Sequence, residues 1–134
     1  MGIKVSDVMT RRIIFGSAES TAQQLATQMR ENFISSVVIL DEGRILGIVT
    51  QHDLVEKVVS ASLDPKKVRA PELMSAPVHT IHAESEIEAA ARLMRDKRIK
   101  KLVAVDKGKT VGIVTSYDLL VAEPVIRLLA EKMP

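Results

Sequence analysis

A threonine and an aspartate three positions apart occur twice in the chain, in Thr50-Gln51-His52-Asp53 and in Thr115-Ser116-Tyr117-Asp118. Each follows a Gly-Ile-Val run and precedes an apolar stretch, so each Asp falls in the first turn of a helix that leaves a strand. A carboxylate there caps free backbone N–H groups, and the Thr ends the strand. The densest cationic run, Lys97-Arg98-Ile99-Lys100-Lys101, reads first as a solvated face. His52, His79 and His82 are the candidate metal ligands, but His79-x-x-His82 falls at a strand end and no second cluster has metal-site spacing, so no metal is expected. No Ser/His/Asp order, Gly-rich phosphate loop or acid–base carboxylate pair stands in a workable context, and no catalysis or cofactor is expected.

Composition narrows the classes further. A length of 134 residues suits a self-sufficient core, which must be aliphatic because only two Phe, one Tyr and no Trp are present. The lack of cysteine removes disulfides, thiolate nucleophiles and sulfur-ligated zinc, and agrees with a reducing compartment. No apolar run approaches the roughly 18–20 residues of a membrane span, and MGIKVSDVMT lacks the layout of a signal peptide. A cytoplasmic protein with no membrane partner is therefore expected. The formal charge of +2 falls short of a strongly basic stripe, which argues against nucleic acid as the partner.

The motif is part of a longer repeat. Gly47-Ile48-Val49-Thr50 with Asp53-Leu54 recurs as Gly112-Ile113-Val114-Thr115 with Asp118-Leu119, an offset of 65 that also relates Met9 to Met74, Ala18-Glu19-Ser20 to Ala83-Glu84-Ser85, and Gly43 to Gly108. Half-domains of this size bury little surface alone and must stack. The boundaries expected are a first repeat over 1–62, a connector over 63–69, and a second repeat with a C-terminal helix over 70–134.

Within each repeat, Ser20-Thr21-Ala22-Gln23 and Ser85-Glu86-Ile87-Glu88 read as capping boxes that start helices. Ala22, Leu25, Ala26 and Met29, and likewise Ile87, Ala90, Ala91 and Met94, recur at helical spacing and predict a buried stripe. An apolar run follows (Val37 to Leu40, Leu102 to Val105), then an Asp-x-Gly turn and a second run, which together predict a hairpin. Ile13 to Phe15 and Val78 to Ile81 read as first strands, Gln51 to Ser62 and Ser116 to Ala122 as second helices. The unit is β-α-β-β-α, twice: an α/β (α+β) fold.

These residues resemble the cystathionine β-synthase (CBS) domain family, whose repeats have this element order and close on Gly-Ile-Val-Thr-x-x-Asp-Leu. The resemblance runs from Val5 to about Val121 and implies a stand-alone tandem pair, packed with pseudo-twofold symmetry, with up to two clefts between repeats that bind adenosyl ligands. It implies one cleft from Thr50, His52 and Asp53 with Met74, Val78, His79, Ile99, Lys100 and Lys101. The other combines Thr115, Tyr117 and Asp118 with Met9, Ile13, Ile14, Ile34, Ser35 and Ser36. On this reading Asp accepts hydrogen bonds from ribose hydroxyls, Thr and helix-terminal amides face phosphate, and aliphatic side chains sandwich adenine. Where many members carry Pro in the second strand, Val38 and Val103 stand here.

The function implied is a regulatory module that senses AMP, ADP, ATP or an S-adenosyl compound and modulates a partner protein. A ligand-free dimerisation module and a nucleic-acid-binding protein are the alternatives. Apolar positions on the second helices and over 125–133 lead to the expectation of a homodimer. With Lys100-Lys101 assigned to the Asp53 cleft and Ser35-Ser36 to the Asp118 cleft, the Asp53 cleft is expected to favour phosphorylated ligands.

Overall fold

The computed structural model of the protein describes residues 2–122. Both repeats form a three-stranded mixed sheet of the expected order. Strand β1 (Phe15–Ser17) lies parallel to β2 (Ser36–Asp41), which is antiparallel to β3 (Arg44–Thr50), with helix α2 (Ala22–Asn32) as the crossover. The second repeat repeats this with β4 (Thr80–His82), α5 (Ile87–Lys97), β5 (Lys101–Asp106) and β6 (Lys109–Thr115). Central strand β2 buries Val37, Val38 and Ile39 completely, which is why its run does not alternate. Glu42 and Gly43, and Lys107 and Gly108, all have positive φ, so the Asp-x-Gly turns have the paired left-handed residues of a two-residue hairpin loop.

Helix α2 is capped one residue later than the sequence suggested. Thr21 is the N-cap: the Gln24 N–H donates to its Oγ1 (3.2 Å), and Gln24 Oε1 accepts from the Thr21 N–H (2.9 Å). The Ser20 hydroxyl instead accepts from the Ser17 N–H in the preceding turn. In α5 the N-cap is Glu86, without a side-chain cap. Leu25 and Met29, and Ala90 and Met94, do face the core, but Ala26 and Ala91 are exposed, so each stripe is narrower than expected. The first strands begin two residues late, at Phe15 and Thr80.

The compact units of the chain are not its repeats. Of the described residues, one unit is Ile14–Val78, and the other joins 2–13 to 79–122. In the first, short helix α4 (Ala70–Leu73) adds the fully buried Ala70 and Leu73 to a core built on Leu25, Ile39 and Val49. Ile48 and Ser75 then exchange both backbone hydrogen bonds, at 3.1 and 2.9 Å. In the second, helix α1 (Val5–Val8) buries Val5 completely against a core containing Leu102, Ala104 and Val114. Thr10 and Ile113 exchange hydrogen bonds at 2.8 and 2.9 Å. Each fully buried Val or Leu is worth about 1.5–3 kcal/mol, so these straps are integral to their units.

The second helices are short. Helix α3 (Gln51–Leu54) continues as a wider five-residue π turn over Val55–Val59 and ends before Ser62, and α6 spans Ser116–Leu120. Positions Val125, Ile126, Leu128 and Leu129, which entered the dimer expectation, lie outside the described residues.

Candidate functional site

Each Thr-x-x-Asp motif folds as a reciprocal cap at a strand-to-helix junction. At the first, the Thr50 N–H donates to Asp53 Oδ2 (2.8 Å), the Thr50 hydroxyl donates to the same oxygen (3.1 Å), and the Asp53 N–H donates to Thr50 Oγ1 (3.2 Å). At the second, Thr115 N–H to Asp118 Oδ2 is 2.8 Å and Asp118 N–H to Thr115 Oγ1 is 3.2 Å. The capping role read from the sequence is thus filled in both copies, and one carboxylate oxygen of each Asp faces its own Thr.

The strand entries lie against the motif of their own repeat. Ser36 is the cross-strand partner of Thr50, and the Gln51 N–H donates to the Ser35 carbonyl (3.0 Å). Lys101 is likewise the partner of Thr115, and the Ser116 N–H donates to the Lys100 carbonyl (2.9 Å). The positive charge of Lys101 therefore bears on Asp118, and Ser36 stands across from Thr50. The reason is register: strand entry and motif are the two open ends of one hairpin.

The remaining candidates divide by unit. Met74 and Val78 share the unit of Asp53, with Ile14 and Ile34, while Met9 and Ile13 share that of Asp118, with His79 and Ile99. Met74 and Met9 cross the motif glycines: a Cβ on Gly47 would lie 2.8 Å from Met74 Sδ, and one on Gly112 would lie 2.6 Å from Met9 Sδ. Glycine is required at these positions for close approach. Val38 and Val103 donate their N–H groups to the carbonyls of Ile14 (3.3 Å) and His79 (3.1 Å), bonds that a Pro at either position would forgo. His52 and Tyr117 are exposed, and His52 Nε2 lies 2.6 Å from Glu56 one turn on. An open groove beside β1, lined by Phe15, Ser17, Gln24 and Gln28, contains none of the expected residues.

The two motifs differ in electrostatics. Asp53 is buried, with 6% of its surface exposed, and its Oδ1 lies 3.2 Å from Lys57 Nζ, which also donates to the Leu73 carbonyl at 2.8 Å. Position 122, equivalent to Lys57, is Ala. Asp118 is half-buried; desolvation raises its carboxyl above the ordinary value, against the lowering effects of its Thr115 hydrogen bonds and the Lys101 charge. Lys101 is half-buried too, and desolvation lowers its ammonium, opposed by the Asp118 charge. Each motif thus has one lysine, on the helix side of Asp53 and on the strand side of Asp118. Lys57 was missed from the sequence, although its i,i+4 spacing from Asp53 was the available signal.

The CBS domain model matches residues 5–60 and 70–124. The chain belongs to the CBS-domain family. It is 45% identical over 124 residues to an uncharacterized protein of Methanopyrus kandleri, covering 91% of this chain and 63% of that relative's length. The structure of a hexameric CBS-CP12 protein from bloom-forming cyanobacteria superposes with a TM-score of 0.85 at 25% identity, over all of this chain and 77% of that one. Hypoxic Response Protein I, solved with two coordinated zinc ions, gives a TM-score of 0.71 at 27% identity, covering 87% of this chain and 95% of that one. Among the described residues of this CBS pair, no group of three or more His, Asp or Glu is placed to hold a metal ion, and no helix is long and apolar enough to cross a membrane. CBS domains are regulatory, ligand-sensing modules without catalysis of their own.

Proposed function

We propose that this CBS pair is a sensor of an adenosyl nucleotide, AMP, ADP, ATP or an S-adenosyl compound, and that binding alters its association with a regulated partner. The observation that carries this reading is the register that sets Lys101 across the open end of the hairpin from Thr115, the residue that caps the helix holding Asp118. Asp118 supplies a carboxylate for the vicinal ribose hydroxyls, and Lys101 supplies a partly desolvated ammonium for phosphate, where a charge-assisted bond gains strength. Met9, Ile13 and Ile99 in the same unit supply aliphatic surface for adenine. For regulation the ligand must bind two shapes of the module unequally, since equal affinity shifts nothing. A cytoplasmic homodimer is the setting this reading fits.

The ligand-free dimerisation module is favoured by one fact, that both aspartates already serve as caps. Calorimetric titration with AMP, ATP, S-adenosylmethionine and methylthioadenosine separates the two. Saturable binding of at least one ligand, lost in Asp53→Ala/Asp118→Ala, is the expected result; no heat and no thermal stabilisation at millimolar ligand would favour the dimerisation module. A ligand at about 100 times its Kd adds about 2.7 kcal/mol to stability, which a melting curve resolves readily.

A further inference from the structure

The two motifs are equivalent in sequence and unequal in their occupation. On Asp53, Oδ2 takes both the N–H and the hydroxyl of Thr50, and Oδ1 faces the Lys57 ammonium at 3.2 Å. Lys57 is itself fixed at a second point, donating to the Leu73 carbonyl at the end of α4. A ribose diol needs acceptor capacity on the outer carboxylate oxygen, and at the buried Asp53 a half-buried cation held at two points stands there. On the helix side of Asp118 the equivalent residue is Ala122, whose methyl cannot compete for the carboxylate. The cation near Asp118 is instead Lys101, on the strand opposite Thr115, where it can accompany a ligand's anionic group.

We infer that Lys57 is an internal stopper of the first motif: it occupies Asp53 in place of a ribose, and the chain takes its nucleotide at the Asp118 motif. Lys57 is then a specificity-determining residue that sets the number of nucleotides bound. This rests on the nucleotide-sensing reading above and adds to it the inequality of the two motifs.

The test is calorimetric titration of ATP and AMP into the full chain and its variants. The wild type should show one binding event, abolished in Asp118→Ala. Lys57→Met should add a second event, at least tenfold tighter than any residual binding there in the wild type, and Lys57→Met/Asp53→Ala should remove that added event alone. Lys57→Gln guards against loss of folding, because its amide can still donate to the Leu73 carbonyl while carrying no charge; circular dichroism confirms that each variant is folded. A single unchanged event in both Lys57 variants overturns the inference and leaves the sensor reading intact, as does a wild-type event that survives Asp118→Ala. Absence of binding in wild type and every variant overturns both.

Discussion

Gly112→Ala is the sharpest structural perturbation the strap arrangement offers. The new Cβ would lie 2.6 Å from Met9 Sδ, 2.9 Å from Met9 Cγ and 2.9 Å from the Thr10 carbonyl oxygen. Favourable contacts between carbon-sized atoms need about 3.5–4.0 Å, so something must move by about 1 Å. Met9 is unbranched and can repack. The Thr10 carbonyl cannot move so easily, because Thr10 is tied to Ile113 by bonds of 2.8 and 2.9 Å. Lifting the strap would strain both bonds and loosen Val5 and Met9 from the core. Overpacking of this kind costs about 1–3 kcal/mol. With the strained bonds the upper half of that range applies, and the melting temperature should fall by roughly 6–12 °C in calorimetry or circular dichroism. Met9→Ala/Gly112→Ala should not restore the Gly112→Ala loss in full, since the backbone contact remains. A melting temperature within about 2 °C of wild type would refute the placement of residues 9 and 10 over Gly112.

Lys101→Met should weaken AMP binding by roughly tenfold to a hundredfold, the scale of a lost charge-assisted bond, while adenosine changes little; an unchanged ratio of the two affinities in titrations would remove Lys101 from the phosphate contact. Because burial raises the Asp118 carboxyl above its ordinary value of 3.8, acidification should protonate it early, and nucleotide affinity should begin to fall at a higher pH than an ordinary carboxylate would give. The same shift means that Asp118 contributes most to stability below 3.8 and loses that contribution as pH rises through the raised value, so urea melts of Asp118→Asn should show a flatter acid profile. Val55, Val59, Tyr117 and Leu120 are exposed apolar side chains on the second helices, and light scattering should report about twice the 14.7 kDa monomer, reverting toward monomer in Leu120→Asp.

The element order was legible in the sequence because repetition tests each assignment twice: Gly-Ile-Val-Thr and its twin mark the same strand end, and both Asp-x-Gly turns give positive-φ loops. Boundaries were less legible. Ser20 and Thr21 both suit a helix N-cap, and only the reach of Gln24 to the Thr21 N–H selects between them. The exchange of straps between repeats was not visible, since a pattern that makes Val5 and Leu73 apolar does not say which sheet they cover. Hairpin register decides where Lys101 and Ser36 stand, and that register follows from strand pairing rather than from residue type. Lys57 escaped notice because an i,i+4 Asp–Lys pair is common on solvated helices, and its second bond, to the Leu73 carbonyl, is a tertiary fact.

The most direct test of the sensor reading is amide chemical-shift mapping of the wild-type chain as AMP is added. Saturable shifts are expected, concentrated on the amides of Met9, Thr10, Lys101 and Thr115 to Asp118, with much smaller ones at Thr50 to Asp53. No saturable shift, or one confined to residues away from the Asp118 motif, would contradict that reading.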